Sequence, residues 1–126
     1  MQLKKNFKVI LRWCFLLAGI TFFLLYLNNA FYRAWIAGGP PTPNPEGWLF
    51  SAGNLLSWSL AFLCAGIGIF LLIGRYPPIS RIAALFLVLA GILVIFPSCR
   101  TFIATDRCLD DGGKWVPKEL RCVFDK

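Results

Sequence analysis

The sequence predicts an all-α membrane protein: three transmembrane helices followed by a small disulfide-closed tail with the character of a short β-hairpin. Three observations predict it. Long apolar runs occupy positions of about 9–28, 48–73 and 79–98, Lys and Arg stand before the first run and between the second and third, and three of the five cysteines lie in or beside the polar segment that follows. Of 126 residues, 58% are hydrophobic, above the roughly 45 to 50% usual in soluble domains. The natural division is a transmembrane region over 1–98 and a cysteine-bearing tail over 99–126.

The formal charge of +7 does not point to nucleic acid. Lys4, Lys5, Lys8 and Arg12 precede the first run, while Arg75 and Arg81 sit between the second and third. That is the distribution of short cytoplasmic segments, which hold the Lys and Arg of multi-pass proteins. It predicts a cytoplasmic amino terminus and, after three crossings, a carboxyl end outside, which for a bacterial inner membrane is the periplasm.

The first run, from Val9 to Leu27, follows a basic amino end as a signal peptide would. Its length, its aromatic end at Phe22, Phe23 and Tyr26, and the poor cleavage context at Leu27-Asn28-Asn29-Ala30 favour a retained span. Arg12, one turn inside, reaches back to the head groups. From Ala30 to Ile36 an aromatic segment with Phe31, Tyr32 and Trp35 suits a short amphipathic piece in the interface. Pro40, Pro41, Pro43 and Pro45 then exclude a helix, because proline lacks an amide donor and biases the preceding residue towards extended forms. An exposed, semi-rigid connector is expected there.

The second run, Trp48 to Ile73, is long enough to cross with some tilt. Ser57, Ala61 and Ala65 repeat every fourth residue, as Cys64 and Gly68 do one face along, so small side chains line a face on which another backbone can approach. That backbone belongs to this chain or to a second copy in a homo-oligomer. Asn54, Ser57 and Ser59 are polar groups that seek partners across a helix interface. The third run, Ile82 to Phe96, covers about 22 Å unaided and nears the ~30 Å of a bilayer core by recruiting Ile79, Pro97 and Ser98. Ala83, Ala84, Ala90 and Gly91 offer its small packing positions.

In the tail, Asp111-Gly112 is a tight-turn signal, since Gly tolerates the positive φ of a hairpin turn, and Pro117-Lys118-Glu119 makes a second turn. Two or three short strands folding back bring Cys108 near Cys122, and a module so small needs such a bridge to keep its shape. Cys99 is left over, free at the membrane edge or joined to another chain.

Catalysis finds little purchase. The chain has no His, hence no Ser-His-Asp or Cys-His arrangement and no imidazole for zinc. It has no Cys-x-x-Cys pair for disulfide exchange. Asp106, Asp110 and Asp111 lack calcium-loop spacing and read as turn formers. No cofactor is expected, and a channel is disfavoured because the runs lack polar lining.

The stretch Cys108-Leu109-Asp110-Asp111-Gly112-Gly113-Lys114-Trp115, followed by Cys122, resembles a Cys-Leu-Asp-x-Gly-Gly-x-Trp/Tyr…Cys loop of small exported or membrane-anchored proteins of Gram-negative bacteria. Some of those are immunity proteins encoded beside secreted toxins. The resemblance covers Cys108 to Cys122 and implies periplasmic exposure, a disulfide and an immunity role. Partner-binding candidates are Trp35, Pro40, Pro41, Asp110, Asp111 and Trp115; helix-packing candidates are Ser57, Ala61, Ala65, Gly68, Ala90 and Gly91. The expected partners are the bilayer and a protein, either a toxin or the subunits of a larger membrane complex.

Overall fold

A computed structural model describes residues 2–75 and 80–124. Three helices, α1 (Gln2–Gly38), α2 (Pro45–Arg75) and α3 (Arg81–Asp110), precede a two-stranded antiparallel hairpin of β1 (Lys114–Val116) and β2 (Arg121–Val123). All three helices are long and apolar enough to cross a membrane, and the chain has the build of a multi-pass membrane protein. Residues 76–79, the middle of the expected basic turn from Gly74 to Arg81 and including the expected start of the third span at Ile79, lie outside the described residues.

Two helices run further than their apolar runs. The segment 30–36, expected to lie flat in the interface, continues α1, because no Gly or Pro falls between Gly19 and Gly38-Gly39-Pro40. Positions 99–110, expected to open the tail, continue α3 for three more turns, since Arg100 to Asp110 contains no helix breaker.

The helices form a layer with α2 in the middle; α1 and α3 flank it and scarcely touch each other. Two faces of α2 make this possible. Towards α1, Gly66 meets Gly19 backbone to backbone: a Cβ on Gly19 would sit 2.9 Å from Gly66 Cα and from Phe62 O. Phe62 stacks on Phe22 and touches Tyr26, and Phe70 meets Trp13 edge-on. Towards α3, Gly68 receives Leu87, whose side chain would lie 2.9 Å from an added Cβ. Because residues two apart on a helix point in nearly opposite directions, Gly66 and Gly68 admit one neighbour each.

The buried stripe facing α3 comprises Ser57, Ala61, Cys64 and Gly68, with Ala65 only half-buried. On α3 the buried positions Ala83, Ala90 and Pro97 recur every seventh residue, the spacing of a left-handed helix seam. Gly91 is not in that seam. It faces outward with open space around it, because a position next to Ala90 turns 100° from the contact.

Pro97 removes one donor from the α3 ladder, leaving the carbonyl of Leu93 without its partner four residues on. Ser57 Oγ of α2 donates to that oxygen at 2.7 Å. Thr101 Oγ1 in turn donates to Pro97 O at 2.8 Å. The proline and the polar residue of the facing helix are thus one unit.

Arginines bracket the apolar layer. From Arg12 to Arg33 along α1 is 21 positions, or about 32 Å, and from Arg81 to Arg100 along α3 is 19 positions, or about 28 Å. Both match the ~30 Å hydrocarbon core. Across the layer the levels agree: Arg12 lies over Phe70, 4.8 Å from the ring centre, near the end of α2, while Arg33 and Arg100 contact Ser51 and Phe50 near its start.

At the far end, α3 stops at a glycine-closed cap. Gly113 N–H bonds Cys108 O at 2.9 Å and Gly112 N–H bonds Leu109 O at 3.0 Å, with Gly112 at φ +76°, the paired bonds of a Schellman motif. Asp111-Gly112 therefore ends a helix rather than turning a hairpin. The hairpin turn is the second one, at 117–120, where Leu120 adopts φ +50°. Cys108 of α3 and Cys122 of β2 form the disulfide, their Cα atoms 5.6 Å apart. Gly113 has no room for a side chain, which would collide with Cys122 Sγ. The Gly-Gly pair thus has two separate causes, a left-handed φ at Gly112 and a close approach at Gly113.

Candidate functional site

The hairpin end gathers the polar chemistry of the molecule. Its centre is Asn44, directly before Pro45. Asn44 Oδ1 accepts the Gly47 N–H at 3.0 Å, capping α2, and proline at the first helical position lacks an N–H that would need satisfying. The same side chain donates through Nδ2 to Glu119 O of the hairpin turn at 2.5 Å. Gly47 must be glycine for this contact, because a Cβ would collide with that carbonyl. One residue therefore starts a helix and fastens the tail to it.

Phe50 is the second fastening. Its ring lies under Arg100, 4.3 Å from the guanidinium, and meets Trp115 of β1 edge-on at 6.0 Å between ring centres. Arg100 Nη1 also donates to Phe50 O at 3.4 Å. With the disulfide, these contacts tie the hairpin to α3 and to the first turns of α2.

Beside the cap, a cleft of about 270 Å³ opens between α1, α2 and the hairpin turn. Arg33 reaches it from α1, held by a 2.7 Å bond from Nη1 to Ser51 Oγ and lying over the Trp48 ring at 5.6 Å. Lys118, Glu119 and Arg121 line the opposite wall, with Arg121 Nε and Glu119 Oε2 2.6 Å apart. Both partners of that ion pair are well exposed, so it contributes little to stability.

The candidates from sequence separate in space. Trp35, Pro40, Pro41, Asp110 and Asp111 are exposed at this end, and Trp115 is half-buried because its ring is engaged by Phe50. Trp115 is thus an internal anchor rather than a free contact surface. Cys99 carries a free, exposed thiol on α3. Asn54 Oδ1 is buried without a hydrogen-bond partner among the described residues.

Four residues that build this end were not singled out for it: Arg33, Asn44, Phe50 and Arg100. Asn44-Pro45 carries a legible signal, a capping residue followed by proline at the first helical position, hidden within a proline-rich stretch. Arg100 and Phe50 belong to contacts across 50 positions that no local pattern announces. Among the described residues, no cluster of three His, Cys, Asp or Glu is arranged to hold a metal ion. No family model, curated protein or solved structure matches the chain.

Proposed function

We propose that the protein is a non-enzymatic, multi-pass protein of a Gram-negative inner membrane that protects its cell by binding a cognate secreted toxin at the periplasmic face. The observation that carries this reading is the unequal build of the two ends. Of the thirteen cations, six fall at positions 1–12 and 75–81 with no acid among them, and seven fall at position 33 and over 100–126, where, with position 46, all six acids also lie. The first pattern favours retention in the cytoplasm. The second end, by exclusion, meets the oxidising side where a Cys108–Cys122 bridge is stable.

That end is also the one prepared for recognition. A hairpin held by a disulfide, by Asn44 and by Phe50 has little freedom left to lose on binding. Exposed Trp35, Pro40, Pro41, Asp110 and Asp111 border it with aromatic, rigid and charged groups. Two measurements test the reading. A periplasm-specific reporter fused after Lys126 is expected to be active, and a signal confined to the cytosol overturns the orientation. Co-expression with the product of an adjacent toxin gene in sensitive cells is expected to rescue growth, and unchanged killing removes the immunity role.

A second reading, an accessory subunit of a larger membrane complex, draws on the uncovered flanks of α1 and α3, where Leu17, Leu24, Leu85 and Val88 are all more than half exposed. Purification in mild detergent with stoichiometric membrane partners and no toxin favours it over the first.

A further inference from the structure

The cleft beside the α2 cap carries chemistry that partner binding does not use. Three cations, Arg33, Lys118 and Arg121, face one carboxylate, Glu119. Glu119 is occupied by Arg121, so Arg33 and Lys118 have no acidic partner among the described residues. Arg33 is oriented rather than loose, because Ser51 and the Trp48 ring hold it. A guanidinium has five N–H donors, and Ser51 takes one of them. The helix amides are not the readers here, since Gly47 N–H and Trp48 N–H both bond Asn44. Recognition falls to the side chains.

Depth narrows the ligand. Arg33 marks one boundary of a layer about 30 Å thick, and Trp48 beside it is a residue type that settles at head-group level. The anionic group that every phospholipid presents at that depth is a phosphate. The volume of about 270 Å³ lies just under the ~300 to 1,000 Å³ of small-molecule pockets, which suits a head group and not the acyl chains behind it.

We propose that this cleft binds a phosphate group, gripped by Arg33 and Lys118 with Arg121 completing the positive wall. The inference rests on the membrane placement and is independent of the toxin reading: failed protection in cells leaves it intact. The test is calorimetric titration of the full-length, disulfide-bonded protein in nonionic micelles with short-chain phosphatidylglycerol, with short-chain diacylglycerol lacking the phosphate, and with sodium phosphate. Wild type is expected to bind phosphatidylglycerol and to ignore diacylglycerol. Arg33→Gln and Lys118→Gln are each expected to weaken binding about tenfold, the scale of one lost charge-assisted contact. Lys118 is an exposed turn residue, so its variant keeps the test open if Arg33→Gln fails to fold.

Competition by sodium phosphate identifies the phosphate alone as sufficient, whereas lipid binding without such competition assigns the ligand to the bilayer. Equal affinity for diacylglycerol, no binding of either phosphate probe, or full affinity in both variants overturns the proposal.

Discussion

Replacing Ser57 by alanine removes the donor that satisfies Leu93 O, and the consequence depends on Pro97. Ser57 is 5% exposed and its bond to Leu93 O is 2.7 Å, so water has no access to take its place. Interhelical hydrogen bonds in lipid average about 0.6 kcal/mol and reach about 1.7. A carbonyl with no alternative donor belongs near the upper end, and we expect Ser57→Ala to cost about 1.5 kcal/mol, roughly a tenfold change in the folded-to-unfolded ratio. Pro97→Ala returns an N–H to the position four residues beyond Leu93. In that background Ser57→Ala should cost no more than about 0.5 kcal/mol, leaving a coupling of about 1 kcal/mol in the double-mutant cycle. Reversible unfolding in mixed micelles measures all four variants. Equal costs of Ser57→Ala in the two backgrounds would refute the argument that the hydroxyl substitutes for the missing proline donor.

Further outcomes follow from the same contacts. Gly19→Val should force α1 from α2, since even a Cβ would lie 2.9 Å from Gly66 Cα; a cost of about 1 to 3 kcal/mol and loss of cross-linking between engineered cysteines on the two helices check this. Reducing the Cys108–Cys122 bridge, which closes a separation of 14 residues, should lower hairpin stability by about 3 kcal/mol in the chain-entropy view, read as faster hydrogen exchange over 111–124 with α1 unaffected. Asn44→Ala should cost about 1 kcal/mol as a lost cap and raise exchange both at Gly47 and in the hairpin turn; a change at Gly47 alone would show the Glu119 contact to be idle. Leu120→Gly should stabilise the turn by about 1 kcal/mol, because Leu120 holds φ +50°, measurable as slower exchange in β1 and β2.

The three helices were legible because the lipid-facing pattern is crude and strong: long runs without charge, closed by Lys or Arg. The bridge was legible because a small polar tail with two cysteines at hairpin distance has few other ways to hold together. What misled was local turn chemistry. Asp111-Gly112 satisfies a hairpin turn and a helix cap equally well, since both need positive φ at glycine, and only the helical content of Arg100–Asp110 decides between them. The packing stripe was half legible: Ser57, Ala61 and Gly68 face α3, yet α1 meets α2 backbone to backbone at Gly19 and Gly66, outside that stripe. A glycine inside an apolar helix, costing about 1 kcal/mol against alanine, is itself a hint of packing. The cleft was not legible, because Arg33, Ser51 and Lys118 meet only through tertiary folding.

The bond from Asn44 to Glu119 spans 75 positions and both later helices. A chain that leaves one leaflet and crosses twice comes back to the side it left, whichever side that was; one crossing or three would strand these two residues on opposite faces. Their meeting is therefore a parity check on insertion, fulfilled only by copies in which α2 and α3 have both been threaded. Copies inserted with the wrong count keep the local Asn44 cap on α2 but lose its tie to the hairpin, which marks them apart from correctly threaded ones.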